Sequence, residues 1–357
     1  MSRARSADAE VVITGVGMVT SVGHRAWPAA AAMLARVQRF VETDELLDRE
    51  GEPIVAAPVS RFAEEDQAPL AMALAAAAEA VGQAFPDAEE ALERLRAWVS
   101  IDTGPLAGDG GAPPLGVSPW DRLQLAVPGL RVEPDSQLPT GHHAAGLLGL
   151  RAAVGRLRAG RADLCLVGGV DSLVAAVAAL DADERLKTSY APYGVTPGEA
   201  AAFVVLERAA DASARGAPAL AVVRASGDAS GPTWSWPPRQ DGGQALCAAL
   251  EAATRGANAV RDRMTVVCDL NGEPHRSAEW GLGRSRVLRF AREIDLFHPA
   301  DAVGEVGAAT GALLLGFATF LLNRLFSPAS DALVWTSSDD GPRAAVHLTR
   351  APHPPPA

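Results

Sequence analysis

The sequence predicts an α/β protein on three observations. Nearly continuous apolar runs recur along the chain and end in Gly, Ser or Asp, as strands buried on both faces of a sheet do. Ala- and Leu-rich stretches of helical length separate them. The chain has 357 residues, 48% of them hydrophobic, enough for two ordinary domains or one large unit built from two halves.

In chain order the strand candidates are VVITGVG from Val11, WVSIDTG from Trp98, LCLVGGVDS from Leu164 and AAFVVLE from Ala201. A second set follows: LAVVRASGDAS from Leu220, TVVCDLNG from Thr265, ALVWTSSDD from Ala332 and AAVHLT from Ala344. Helices are expected in LAMALAAAAEAVGQAF from Leu70, AAGLLGLRAAVGRLRAG from Ala144, GGQALCAALEAATRGA from Gly242 and GALLLGFATFLLNRLF from Gly311. About four strands thus fall on each side of ADASARGAP, from Ala210, which reads as a linker. The expected units are 10–209 and 219–350, and the tail 351–357, rich in proline, is expected to be frayed.

Composition removes several function classes. The net charge is -11, the only lysine is Lys187, and the arginines are spread along the chain, so no phosphate-binding surface for nucleic acid is expected. Cys165, Cys247 and Cys268 are far apart and form no CxxC pair, which argues against a disulfide framework or a zinc site. The N-terminus has no apolar signal-peptide core, and the run GALLLGFATFLL is shorter than the roughly 20 residues of a membrane span. A cytoplasmic protein is expected. The GxG-like turn of VITGVG lacks a clearly placed third glycine and downstream acid, so it is weak as a nucleotide signal.

A family resemblance emerges from several motifs in fixed order. VVITGVGMVTSVG, from Val11, resembles the first strand and turn of the KAS I/II class of β-ketoacyl-ACP synthases. Gly141 to Leu173 resembles that family's nucleophile-elbow helix and following strand, and Thr196 to Arg208 its next strand. CDLNGE, Cys268 to Glu273, falls where the family carries its first catalytic histidine. GEVGAATGALLLGFA, Gly304 to Ala318, resembles the glycine-rich loop and helix that carry its second. The resemblance spans roughly 10–350 and implies the thiolase fold: two βαβαβαββ halves in a five-layered α-β-α-β-α sandwich, usually dimeric. It also implies no cofactor and no metal. Segments 104–138 and 182–198 look shorter than in typical members.

The resemblance places a nucleophilic cysteine three residues before a glycine at a helix start. Gly146 fits that glycine, which puts His143 at the cysteine position. Asn271 and Glu305 stand at the two histidine positions. Those histidines help decarboxylate malonyl-ACP and stabilise the enolate. Glu305 would face the malonyl carboxylate instead, and two like charges about 4 Å apart cost roughly 4 kcal/mol at an effective dielectric of 20. That is about a thousandfold in rate. Normal condensation is therefore not expected. The helix N-terminus leans His143 toward the neutral form that a base or nucleophile needs, whereas a nearby Glu305 would favour imidazolium; the two effects oppose. The bland alternatives are a turn histidine, a satisfied turn amide at Asn271 and a loop carboxylate at Glu305. Glu273, Ser337, Ser338 and Asp339 are secondary candidates.

Three functions remain open. One is a non-condensing acyl-thioester-binding or chain-length-factor-like subunit, in fatty-acid or polyketide-type metabolism, with an acyl carrier protein or a ketosynthase as partner in a homo- or heterodimer. Another is a repurposed acyltransferase or hydrolase using His143, Glu305 and Asn271. The third is an assembly protein. Trp234 to Arg239 (WSWPPR) offers exposed aromatics for a partner. Arg284, Arg286, Arg289 and Arg292 are expected on one helix that could meet an acidic carrier.

Overall fold

The computed structural model describes residues 9–62, 68–86, 92–104, 119–138, 142–233, 243–255, 261–324 and 330–352. The strands are β1 (Val11–Thr20), β2 (Val41–Leu47), β3 (Pro53–Ala56), β4 (Ala97–Thr103), β5 (Leu164–Ser172), β6 (Glu199–Arg208), β7 (Ala221–Ser230), β8 (Arg261–Cys268), β9 (Ala291–Phe297), β10 (Asp331–Ser337) and β11 (Pro342–Arg350). The helices are α1 (Ala26–Leu34), α2 (Ala68–Ala84), α3 (Pro119–Ala126), α4 (Ala145–Arg158), α5 (Val177–Ala182), α6 (Ala209–Ala214), α7 (Gln244–Ala253), α8 (Pro274–Arg286), α9 (Ala300–Val303) and α10 (Thr310–Asn323). All the apolar runs named above are strands, and the four Ala/Leu-rich stretches are helices.

Nine of these strands form one hydrogen-bonded series, β4-β5-β6-β1-β7-β11-β10-β8-β9, and β2 and β3 pair separately as a hairpin. The series is two sheets joined at a corner, where β1 and β7 pair only over Val11↔Val223, Val12↔Val222 and Ile13↔Ala221. The C-terminal half runs β7, α7, β8, α8, β9, α10, β10, β11, the expected βαβαβαββ order. The N-terminal half repeats it with a degenerate third strand. Residues 131–137 lie parallel to β4, bridging Ala97↔Val132 and Ser100↔Gln137, and exchange backbone bonds with Ala97, Val99 and Ile101. Helix α3 precedes this stretch in the chain. Helices α4 and α10 touch strands of both sheets, α2 covers β1 and β6 on one outside, and α7 covers β7 and β11 on the other. These are the five layers.

Alanine and glycine set the layer spacing. A Cβ on Gly15 would lie 2.0 Å from the Ala80 carbonyl oxygen, and one on Gly17 1.8 Å from that of Ala76. The GxG of β1 therefore lets α2 sit directly on the strand. The ladder slips between Ile13 and Gly15, and α2 supplies the acceptors: Gln83 Oε1 takes the Val16 amide at 2.8 Å and Glu79 Oε2 the Met18 amide at 3.1 Å. These glycines serve packing. The central helices meet in the same way, since a Cβ on Gly146 would lie 2.7 Å from the Ala312 nitrogen.

Three elements depart from the sequence reading. The 210–218 segment read as a linker begins with the short helix α6. The β2–β3 hairpin was not foreseen. The run from Glu279 does not stay helical: α8 ends at Arg286, buried Val287 and Leu288 turn the chain inward, and Arg292 lies on β9. The four arginines are exposed but do not share one helix face. Trp234 to Arg239 and the tail beyond 352 lie outside the described residues. Among the described residues no helix is long and apolar enough to cross a membrane.

Candidate functional site

The site lies at the carboxyl ends of the parallel strands, where both halves present loops. His143 directly precedes the first turn of α4 and is 2% exposed. The loop after β8 carries Asp269, Asn271 and Glu273, the loop before α10 carries Glu305, and the loop after β10 carries Ser338 and Asp339. Structural symmetry thus makes residues far apart in sequence converge.

The structure brings His143, Asn271 and Glu305 together. His143 Nε2 is 2.8 Å from Glu305 Oε1, and Nδ1 is 3.1 Å from Asp269 Oδ2. Asn271 donates to Glu305 Oε2 at 2.6 Å and to Glu273 Oε2 at 3.0 Å. The Gly307 amide donates to Glu305 Oε1 at 2.9 Å. The secondary candidates join the same lattice. Ser338 Oγ accepts the Ala144 amide at the start of α4 at 2.8 Å. The Ser337 amide donates to Asp269 Oδ2 at 2.7 Å, while its hydroxyl donates to Glu279 at 2.8 Å.

The residues that sequence reasoning missed are the ones that organise the cluster. Arg276 is fully buried and reaches Asp269 at 2.9 Å, Glu273 at 3.0 Å, Asp339 at 2.7 Å and the Ser337 carbonyl. Arg185 binds Glu273 and Asp339, each at 2.9 Å. Asp269 stands within the CDLNGE motif, and Arg276 lies one helical turn after Glu273, so both stood next to candidate residues. Arg185 comes from the distant segment after α5 and left no such signal.

Charge follows from this geometry. Burial and the Arg276 guanidinium push the His143 pKa down, but the Glu305 charge and the hydrogen bonds to Asp269 and Glu305 outweigh them and raise it to about 10. Burial would raise the Glu305 carboxyl, yet His143, Arg276 and Asn271 hold it near about 2. Glu273 and Asp339 are likewise kept below the usual range, against burial, by Arg276 and Arg185. The carboxylates therefore win over the helix N-terminus, and His143 is an imidazolium donating from both nitrogens. The neutral lean expected from the helix alone is overridden.

Glu273, His275 and Asp339 place ligand atoms within 4.8 Å of one another. Each of the four carboxylate oxygens already accepts from Arg185 or Arg276, so a cation would compete with both guanidinium charges. The cavity bordering Asp269 and Glu305 is about 20 Å³, room for a single water and not for an acyl chain.

Two further acids lie in the central layer. Burial raises Asp171 to about 6, against amide bonds from Ala308 and Ser172. Burial alone raises Asp102 to about 8, and neither of its oxygens has a hydrogen-bond partner. An acid whose folded pKa is raised binds more protons folded than unfolded, so it lowers stability as pH climbs from about 4 toward 8. Asp102→Asn is expected to be more stable than the parent at pH 8, by on the order of 1–2 kcal/mol, and no more stable at pH 4. Urea midpoints at the two pH values test this.

Comparison with known proteins agrees with the fold. The family "Beta-ketoacyl synthase, N-terminal domain" matches residues 135–212, which include α4 and β5. No curated protein matches the sequence. An oxazolomycin ketosynthase domain from Streptomyces albus superposes with TM-score 0.80 at 16% identity, over 98% of this chain and 76% of that one. A type II polyketide ketosynthase, solved with its acyl-carrier protein, gives 0.73 at 16% identity, over 96% and 100%. A β-ketoacyl synthase from Burkholderia phymatum gives 0.71 at 20% identity, over 96% and 100%. The chain has the fold of these ketosynthases, and its residues 135–212 match the β-ketoacyl synthase N-terminal domain.

Proposed function

We propose that this protein is a non-condensing ketosynthase-like subunit, of the chain-length-factor kind, that works beside a condensing partner in fatty-acid or polyketide-type assembly. The observation carrying this reading is His143 clamped between Asp269 and Glu305. An imidazolium donating from both nitrogens has no lone pair, so it serves neither as nucleophile nor as general base. The same fact weighs against a hydrolase or acyltransferase built on His143. The Ala144 amide is already engaged by Ser338, which leaves that donor unavailable to a thioester oxygen.

Intact-mass spectrometry after incubation with acyl-CoA and malonyl-CoA is expected to show no adduct, with no release of carbon dioxide. His143→Cys is expected to gain no adduct either. A thiolate there would face the Asp269 and Glu305 carboxylates, which raise the thiol pKa and keep it protonated. Stable acylation of the parent protein would overturn the proposal. Co-purification with a condensing ketosynthase encoded beside it would support it.

A further inference from the structure

The chain contains two tyrosines, and both stand on one rim. Tyr190 is 70% exposed and Tyr193 71%. They border a cavity of about 540 Å³ whose apolar floor includes Leu186, Ala191 and Pro274. Thr188 also borders a second cavity, of about 500 Å³, walled by Phe40, Ile54 and Val55 of the β2–β3 hairpin region. The two cavities share Thr188 as a wall, and together they make up one face, the trough, between the hairpin and the segment 187–196. Leu47 and Val55 of the hairpin are 52% and 43% exposed. Protruding aromatics over an apolar floor are the composition of a binding surface, since Tyr contributes large contact area at low entropic cost.

The charge of the trough selects what fits it. The first cavity carries Glu50, Asp181, Glu184 and Glu273, and the second Glu42, Asp48 and Glu52. Against these stand Arg49, Arg185 and Lys187. Arg49 is engaged by Asp181 and Glu184, and Arg185 by Glu273 and Asp339. The trough is therefore net negative and repels an acidic protein surface.

We propose that this trough docks an extended, basic segment of a protein partner, with apolar side chains seated beside Tyr190 and Tyr193 and Arg or Lys side chains facing the carboxylates. The proposal deepens the partner-subunit reading and rests on it, in that it describes how such a partner is gripped. It also sets aside an acidic carrier protein as the occupant of this face.

The test uses the full chain with 3-fluorotyrosine incorporated, which yields two fluorine resonances, both at the rim. Three hexapeptides serve as probes: alternating Leu-Arg, alternating Leu-Glu and alternating Ser-Arg. Both resonances are expected to shift saturably with the Leu-Arg peptide, and at least tenfold more weakly with either of the others. Glu50→Gln combined with Glu184→Gln is expected to weaken Leu-Arg binding at least threefold. Equal or tighter binding of the Leu-Glu peptide overturns the proposal, as do resonances unmoved by millimolar Leu-Arg peptide. A trough that binds as expected in a protein that becomes acylated overturns only the non-condensing reading. Absent binding in a protein that stays unacylated overturns only the trough.

Discussion

Arg276→Met is expected to lower the unfolding free energy by about 3–5 kcal/mol, the cost of breaking a buried charge network by removing one partner. Arg276 is 0% exposed and its guanidinium is shared by Asp269, Glu273 and Asp339. Methionine fills the volume but leaves those carboxylates facing one another with only Arg185 and His143 as counter-charges. The parent protein offsets the desolvation of these groups with near-complete hydrogen bonding, and the variant cannot. Urea unfolding followed by tryptophan fluorescence measures the change. Arg263→Ala is the control, because Arg263 pairs with Asp295 on the surface and solvent screens that pair; no measurable shift is expected there. A loss below about 1 kcal/mol in Arg276→Met would show that the cluster is not organised by this guanidinium. Arg276→Lys should recover part of the loss, since it restores the charge but not the forked geometry.

Stability is also expected to fall as pH rises from about 6.5 toward about 10, and His143 is the cause. Its folded pKa, about 10, lies above the ordinary 6.5. A base with a raised folded pKa stabilises fully below its unfolded pKa and loses that contribution as pH passes its folded pKa. The upper bound is about 5 kcal/mol, because each tenfold gain in proton affinity on folding is worth about 1.36 kcal/mol. The charged and titratable groups that act on the ring are Glu305, Asp269, Arg276, Asp339, Asp171 and the neighbouring His142. His143→Gln keeps a hydrogen-bonding side chain and removes the titration, so its stability should be flat between pH 7 and 10 where the parent's declines. Every other group is common to both proteins, so the difference between the two isolates His143. Equal slopes would sink the assignment of an imidazolium. At the acid end the sign reverses: Glu305, held near about 2, stabilises above its ordinary pKa and loses that contribution as pH falls toward 2.

The cluster behind both effects was legible in the sequence only in part. His143, Asn271 and Glu305 could be named because the family resemblance put its catalytic positions there, with Gly146 fixing the register for His143. Glycine at a close approach or at positive φ leaves a trace that needs no partner to be read. The strands were legible for a similar reason, since burial on both faces produces unbroken apolar runs. β9 was not, because AREIDLF is half-exposed at a sheet edge and carries the polar residues of a helix surface. The β2–β3 hairpin was missed on the same ground, with VETDELL polar along most of its length.

The sequence by itself determined the α/β architecture, because strand and helix periodicity is a local property. Only the tertiary structure decided the protonation of His143. The helix start and Glu305 pull the imidazole in opposite directions, and the balance turns on Asp269, which reaches the second ring nitrogen from a loop 126 residues away in sequence. It also decided that Arg276 and Arg185 neutralise the surrounding carboxylates. Electrostatic energy depends on distance and burial, and both are set when the two halves close around α4 and α10.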